Sequence, residues 1–199
     1  QLLDLVKEKD PYTFEHCCRV GRGSRKFAKA LGLNPFEQAV LEYSGLFHDI
    51  GKVKIPTEIL VKPGRLDTQE IEVMKAHPVL SAEMIQHLDH VAFFRFLIPG
   101  IRYHHEKFDG GGYPSQMKAD DIPLFARLIA VVDTWDAMTN ARPYRNCLPE
   151  EKALEEIKKF SGRQFDPKMA AEFLKFLPEY KKENEKDHLE EMVVSRLIK

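Results

Sequence analysis

The chain has 199 residues, with 30 Lys and Arg set against 31 Asp and Glu, for a formal net charge of −1. That length supports one domain with its own core, and the balanced, intermixed charge argues against a nucleic-acid coat or a polybasic membrane anchor. No apolar run is long enough to span a bilayer, no signal peptide is evident, and Cys17, Cys18 and Cys147 lack zinc-ligand spacing, so a reducing, cytoplasmic setting is expected.

From Tyr12 to Leu31, apolar residues recur at spacings of three and four (Val20, Phe27, Leu31), which predicts a helix stopped by Gly32. A second helix is expected from Pro35, a residue favoured at helix starts, through Val40, Leu41 and Leu46 to His48, with Gly51 ending it. IPTEILVKPGRL reads as a loop with one helical turn. Asp67 with Glu70 three residues on marks the start of a helix through Ile71 and Met74. Another helix covers Val91 to His105, and Phe93, Phe94 and Phe96 within it are expected to pack a core or a dimer face. After the glycine-rich stretch HHEKFDGGGYP, the segment IPLFARLIAVVDTWDAM predicts a buried helix, although LIAVV has strand-like composition.

Two further helices follow Pro149 and Pro167. The tail from Lys181 is charged, with an apolar stripe of Leu189, Met192, Val193 and Leu197, and reads as a docking helix or dimer element. Repeats, low-complexity tracts and strand-like alternation are missing from the sequence. The expected fold is all-α, with a main domain over 1–179, a charged C-terminal helix over 180–199, and room for an upstream sensor or regulatory domain before Gln1.

The chain has eight histidines. His48 and Asp49 are adjacent at a helix end, His104 and His105 are adjacent before the glycines, and His16, His77 and Asp133 lie on or at the ends of predicted helices. Neutral imidazole and carboxylate are ligands suited to iron, manganese, zinc or nickel. Seven such residues exceed the need of one tetrahedral site. They suggest two ions sharing a ligand, and a carboxylate, with two oxygens, is the natural bridge: Asp49. A lone histidine is more often a hydrogen-bonded helix-end residue, and His87, His90 and His188 are read that way.

HDIGK (His48 to Lys52) together with HHEKFDGGGYP (His104 to Pro114) resembles the HD-GYP domain, a subgroup of the HD phosphohydrolases. The likeness runs from about Asp10 to Phe176 and includes DPYTFEH, KPGRL, His77, VVDTWDAMTNARPYR and GRQFDP. It implies an HD-domain helical bundle with a GYP-containing loop and extra C-terminal helices. It implies hydrolysis of cyclic di-GMP, a bacterial second messenger, to linear pGpG and in some members on to GMP. It implies that His16, His48, Asp49 and Asp133 hold one ion, and that Asp49 bridges to a second held by His77, His104 and His105. Some members have a glutamate four residues before the first histidine and hold a third metal. Tyr12 stands there in this chain, so two divalent ions are expected, iron or manganese, with nickel or zinc as alternatives.

Within that resemblance, Lys52 is expected to neutralise a phosphate oxygen as charge builds up; the plainer alternative is contact with helix-end carbonyls. Gly112 lets the backbone approach a ligand closely, Tyr113 offers a hydroxyl and a ring face to a phosphate or guanine, and Pro114 stiffens the exit. Arg142 and Arg145, three apart, are expected to contact substrate phosphate or a guanine edge. Asp136 either orients a ligand histidine or caps and pairs at the surface. Cys17 and Cys18 are not expected to be ligands. Two readings compete with cyclic di-GMP hydrolysis: the same chemistry on cyclic GMP-AMP, and a non-hydrolysing adaptor that binds cyclic di-GMP or a diguanylate cyclase (GGDEF) protein. A homodimer is a further expectation.

Overall fold

The computed structural model describes residues 2–140 and 147–197, with side chains described through Lys182. In chain order the helices are α1 (Leu2–Lys9), α2 (Pro11–Ala30), α3 (Pro35–Phe47), α4 (Thr57–Leu60), α5 (Thr68–Met74), α6 (His77–Gln86), α7 (Ala92–Tyr103), α8 (Leu124–Thr139), α9 (Glu150–Lys159) and α10 (Pro167–Leu197). Short 3₁₀ turns follow α3 (Ile50–Lys54) and α7 (Ala119–Asp121). The described residues contain no strand, only an isolated bridge between Ser161 and Phe165. The expected all-α fold is therefore observed. No helix among the described residues is long and apolar enough to cross a membrane.

Local chemistry sets the helix starts. Asp10 caps α2 by accepting from the Tyr12 N–H, and Pro11 fills the first position, where a missing N–H costs nothing. Asn34 and Glu37 form a capping box on α3, as Asp67 and Glu70 do on α5. Gly32 takes φ +74° after α2, and the Leu33 N–H returns to the Ala28 carbonyl at 3.0 Å.

Helices α1 and α6 were not expected from the sequence. The buried face of α6 is His77, Pro78, Ser81, Ala82 and Ile85, small and polar residues that carry no apolar stripe. Helix α10 runs through Pro178 to Leu197. Phe173, Leu177 and Tyr180 stay packed in the core on both sides of that proline.

The core has two parts. One joins α2, α8, α9 and α10 through Val20, Phe27, Leu128, Val132, Ile157 and Phe173. The other joins α1, α3, α6 and α7 through Val6, Val40, Ala82, Ile85, Leu97 and Ile101. Phe93 and Phe94 pack against the second part, whereas Phe96 is exposed and edges onto Phe36. LIAVV lies inside α8, buried as a helix. The two parts meet where α2 and α8 face the ends of α3 and α7 and the start of α6, and this seam gathers the polar residues.

Candidate metal centre

His16, His48, Asp49, His77 and His104 are all buried. Buried polar groups this numerous are costly unless they are partnered or bind something. Two groups of ligand atoms form, each within 4.8 Å of one another: His16 with His48 and Asp49, and His77 with His104 and His105. Asp133 joins the first group, its Oδ1 3.0 Å from His16 Nε2 and 3.8 Å from His48 Nε2. Asp49 stands between the groups. Its Oδ2 lies 3.4 Å from His48 Nε2 and 3.7 Å from His16 Nε2, and its Oδ1 lies 3.0 Å from His77 Nε2.

Three rings are oriented in one way. Nδ1 of His48, His77 and His104 lies 2.6 to 2.7 Å from the carbonyl three residues back, those of Gly45, Met74 and Ile101. Each of these carbonyls belongs to the last turn of a helix (α3, α5 and α7), where carbonyls lack an intrahelical partner. The bond places the proton on Nδ1 and leaves the Nε2 lone pair facing inward. The Nε2 atoms of all three, and Asp49 Oδ1, are buried without a hydrogen-bond partner. Three inward lone pairs and one anionic oxygen, with no donor to satisfy them, fit divalent metal ions.

The ionisation states agree with that fit. Burial pushes His48, His104 and His105 down, His105 to about 3, so all three are neutral and able to ligate. Burial alone would raise Asp49, but Lys52, His48 and His77 overcome it and hold the carboxylate well below its usual range. Asp133, opposed by burial and favoured by His16, is likewise held down. His16 differs. Burial disfavours its charge, yet the carboxylates of Asp133 and Asp136 on its two ring nitrogens raise it to about 9. A metal ion competes with that proton for Nε2.

Lys52 reaches Asp49 Oδ2 at 2.5 Å, so its ammonium sits at the centre of the cluster. Lys9 of α1 donates to the carbonyls of Val53 and Ile55 at 2.7 and 2.6 Å. Asp136 is buried and lies 2.7 Å from His16 Nδ1, orienting it. Tyr12 stacks on His16 with 6.3 Å between centroids, offering a ring where a third-metal carboxylate would stand. Cys17 is buried and its thiol is pushed up by that burial, which suits a core residue. His87 and His90 are exposed. Arg142 and Arg145 lie outside the described residues, as does the side chain of His188.

The GYP loop is built against the cluster. The Tyr113 ring stacks on His105 at 4.9 Å, and its N–H donates to the His105 carbonyl. Burial, with the charges of Asp49 and Asp133, pushes its hydroxyl up, so it remains a donor. A Cβ on Gly112 would fall 2.2 Å from the Lys107 nitrogen and 2.5 Å from Glu106 Cα. The close approach expected of this glycine is thus made to its own chain. Phe108 and Asp109 donate to the carbonyls of Gln164 and Arg163, which ties the loop to GRQFDP. Lys75 at the end of α5 stands 5.9 Å from the Tyr113 ring centroid.

The residues that sequence reasoning missed are those that hold others in place. Glu106, directly after the histidine pair, is buried and accepts from the Ser115 N–H at 2.6 Å and the Met117 N–H at 3.1 Å. Glu106→Ala would leave those donors without their acceptor. It is expected to cost roughly 2–3 kcal/mol, with Glu106→Gln losing less. Thermal denaturation checks this, and a wild-type Tm in the alanine variant would show that the loop holds itself.

A family model described as HD domain matches residues 1–169. A cyclic di-GMP phosphodiesterase of Thermotoga maritima is 34% identical over 192 residues, covering 94% of this chain and 52% of that protein. The 3′3′-cGAMP-specific phosphodiesterase 2 of Vibrio cholerae is 33% identical over 179 residues, covering 90% of this chain and 34% of that protein. The chain spans about half or less of the length of these relatives. Among solved structures, Bd1817, an HDG"Y"P protein from Bdellovibrio bacteriovorus, superposes with a TM-score of 0.66 at 21% identity, over 82% of this chain and 51% of that one. The HD domain of the L. monocytogenes phosphodiesterase PgpH gives a TM-score of 0.61 at 18% identity, over 94% and 99%. These two carry the fold. The family match runs through the HD pair and the GYP loop alike, and the chain belongs to the HD domain family as one of its HD-GYP members.

Proposed function

We propose that this chain is a metal-dependent phosphodiesterase that opens cyclic di-GMP to linear pGpG, the dinucleotide from which GMP would follow by a second hydrolysis. The observation that carries the reading is the placement of Asp49, with one carboxylate oxygen toward His16 and His48 and the other toward His77. His16, His48, Asp49 and Asp133 would hold one ion, and Asp49, His77, His104 and His105 a second. Bound there, two divalent ions supply an activated water near neutral pH and neutralise phosphate oxygens. Iron and manganese suit the nitrogen and oxygen donors, as do nickel and zinc.

The chain's own residues account for the rest. Helix-end carbonyls keep three imidazoles turned inward. Lys52, beside Asp49, would pair with a phosphate oxygen as negative charge grows on it. Tyr113, protonated and stacked on His105, would donate to a phosphate oxygen or present its face to a base. Arg142 and Arg145 would contact phosphate or guanine. Under the same proposal the GYP loop would dock a diguanylate cyclase, the C-terminal helix would support a homodimer, and the reaction would be cytoplasmic.

The relatives named for cyclic GMP-AMP favour one second reading, the same hydrolysis on 3′3′-cGAMP. The test is turnover of both dinucleotides by anaerobically purified protein loaded in turn with Fe(II), Mn(II) and Zn(II), with metal content measured on the same samples. Cyclic di-GMP hydrolysis that tracks about two ions per chain is the expected result. Faster turnover of 3′3′-cGAMP would move the substrate assignment. Full loading without turnover of either would favour the non-hydrolysing adaptor.

A further inference from the structure

His48, His77 and His104 take their orienting acceptor from the free carbonyls of a helix end. His16 sits in the middle of α2, where the backbone carbonyls are engaged by the helix itself. It therefore needs a side chain to fix its ring, and Asp136 of α8 provides one, with Oδ2 2.7 Å from Nδ1. A buried carboxylate in that position must itself be compensated. Arg19 does this with two bonds: Nε to Oδ1 at 2.8 Å and Nη2 to Oδ2 at 3.0 Å. The Asn140 amide adds a third donor, 2.9 Å from Oδ1.

The spacing makes the arrangement regular. His16 and Arg19 are three apart on one face of α2, and Asp133 and Asp136 are three apart on the facing side of α8. One carboxylate addresses each nitrogen of His16: Asp133 at Nε2 and Asp136 at Nδ1. We infer that Arg19 is a positioning residue of the metal centre. It acts through Asp136 to hold His16 in its ligating orientation, and so serves the half of the centre that contains His16 and Asp133, not the half built from His77, His104 and His105. The guanidinium also lies 6.0 Å from the Tyr12 ring, which stacks on His16, so both flanks of the imidazole lead back to the same arginine.

This inference rests on the metal-centre reading, and its test keeps the two apart. Mn(II) is titrated into the metal-stripped full chain, with bound ions counted and followed by electron paramagnetic resonance. The wild type should bind about two ions per chain. Arg19→Met should bind one ion within about twofold of wild-type affinity and the other ~10–100-fold more weakly, the usual cost of losing a partner behind a ligand. The spectrum of the ion it keeps should match that of His16→Ala, and Arg19→Lys, which restores the charge without the fork, should recover part of the loss. Two ions at wild-type affinity in Arg19→Met, or equal weakening of both, would overturn the assignment. Where Arg19→Met does not fold, Asp136→Asn carries the test. It preserves shape and should show the same one-sided loss, and two unaltered ions there would refute the role. A wild type that binds no Mn(II) would instead defeat the metal centre itself and this inference with it.

Discussion

The double substitution His48→Ala with Asp49→Ala is expected to empty the centre of both ions and to lower kcat/KM by at least ~10³-fold, a loss of about 4 kcal/mol of transition-state stabilisation. Asp49 turns one oxygen toward His48 and the other toward His77, so its removal affects the two halves together. The helices should survive. Neither side chain belongs to either apolar core cluster, and removing two buried polar groups relieves desolvation as well as contacts. The experiment therefore needs three readouts on one sample: far-UV circular dichroism, bound metal and turnover. A helical protein without metal or activity is the expected result, and unchanged hydrolysis would place the chemistry elsewhere in the chain.

Gly51→Ala should be nearly as damaging without touching a ligand. A Cβ at this position would fall 2.4 Å from the His77 carbonyl oxygen and 2.5 Å from the Ser81 nitrogen, both backbone atoms. Backbone cannot rotate away as a flexible side chain can, so α6 must shift from the turn after the HD pair. The Gly51 N–H to Ser81 Oγ bond, 2.8 Å, would be strained by the same movement. Overpacking of this kind costs about 2–3 kcal/mol, which for a domain of this size lowers Tm by roughly 5–10 °C. Because His77 begins α6, metal affinity should fall in parallel with stability. Stability lost with both ions retained at wild-type affinity would show that α6 adjusts without carrying His77 away.

The residues that gather in the candidate centre stood out in the sequence because they are chemically conspicuous. Paired histidines, an HD dipeptide and a glycine run stand out whatever fold holds them. Most helices were legible too, since an apolar period combines with Gly32 as a stop, Pro35 as a start and the Asp67–Glu70 pair at the start of α5. What stayed hidden depends on pairs far apart in the chain. Arg19 meets Asp136 across 117 residues, and nothing near Arg19 in sequence distinguishes it from any solvated helix arginine. Glu106 looks like one more charge in a loop until its two backbone donors are in place. Helix α6 escaped because the face it buries is a histidine, a serine and an alanine as much as an isoleucine. Lys9 lies in a short first helix, and its target is a pair of carbonyls, which no side-chain pattern can announce.

The carbonyls that steer His48, His77 and His104 have a bearing on how such a centre tolerates drift over evolutionary time. Every amino acid carries a carbonyl, so Met74 and Ile101 deliver their contribution whatever side chain they bear. Those positions can wander to satisfy packing while the imidazoles keep their aim. Gly45 is the exception, since an added Cβ would sit 3.0 Å from Ser24 Oγ and 3.1 Å from the Val20 carbonyl. Three of the five imidazoles in the centre are thus inherited with the helix ends, whereas His16 depends on a partnership of side chains that mutation can dissolve one member at a time.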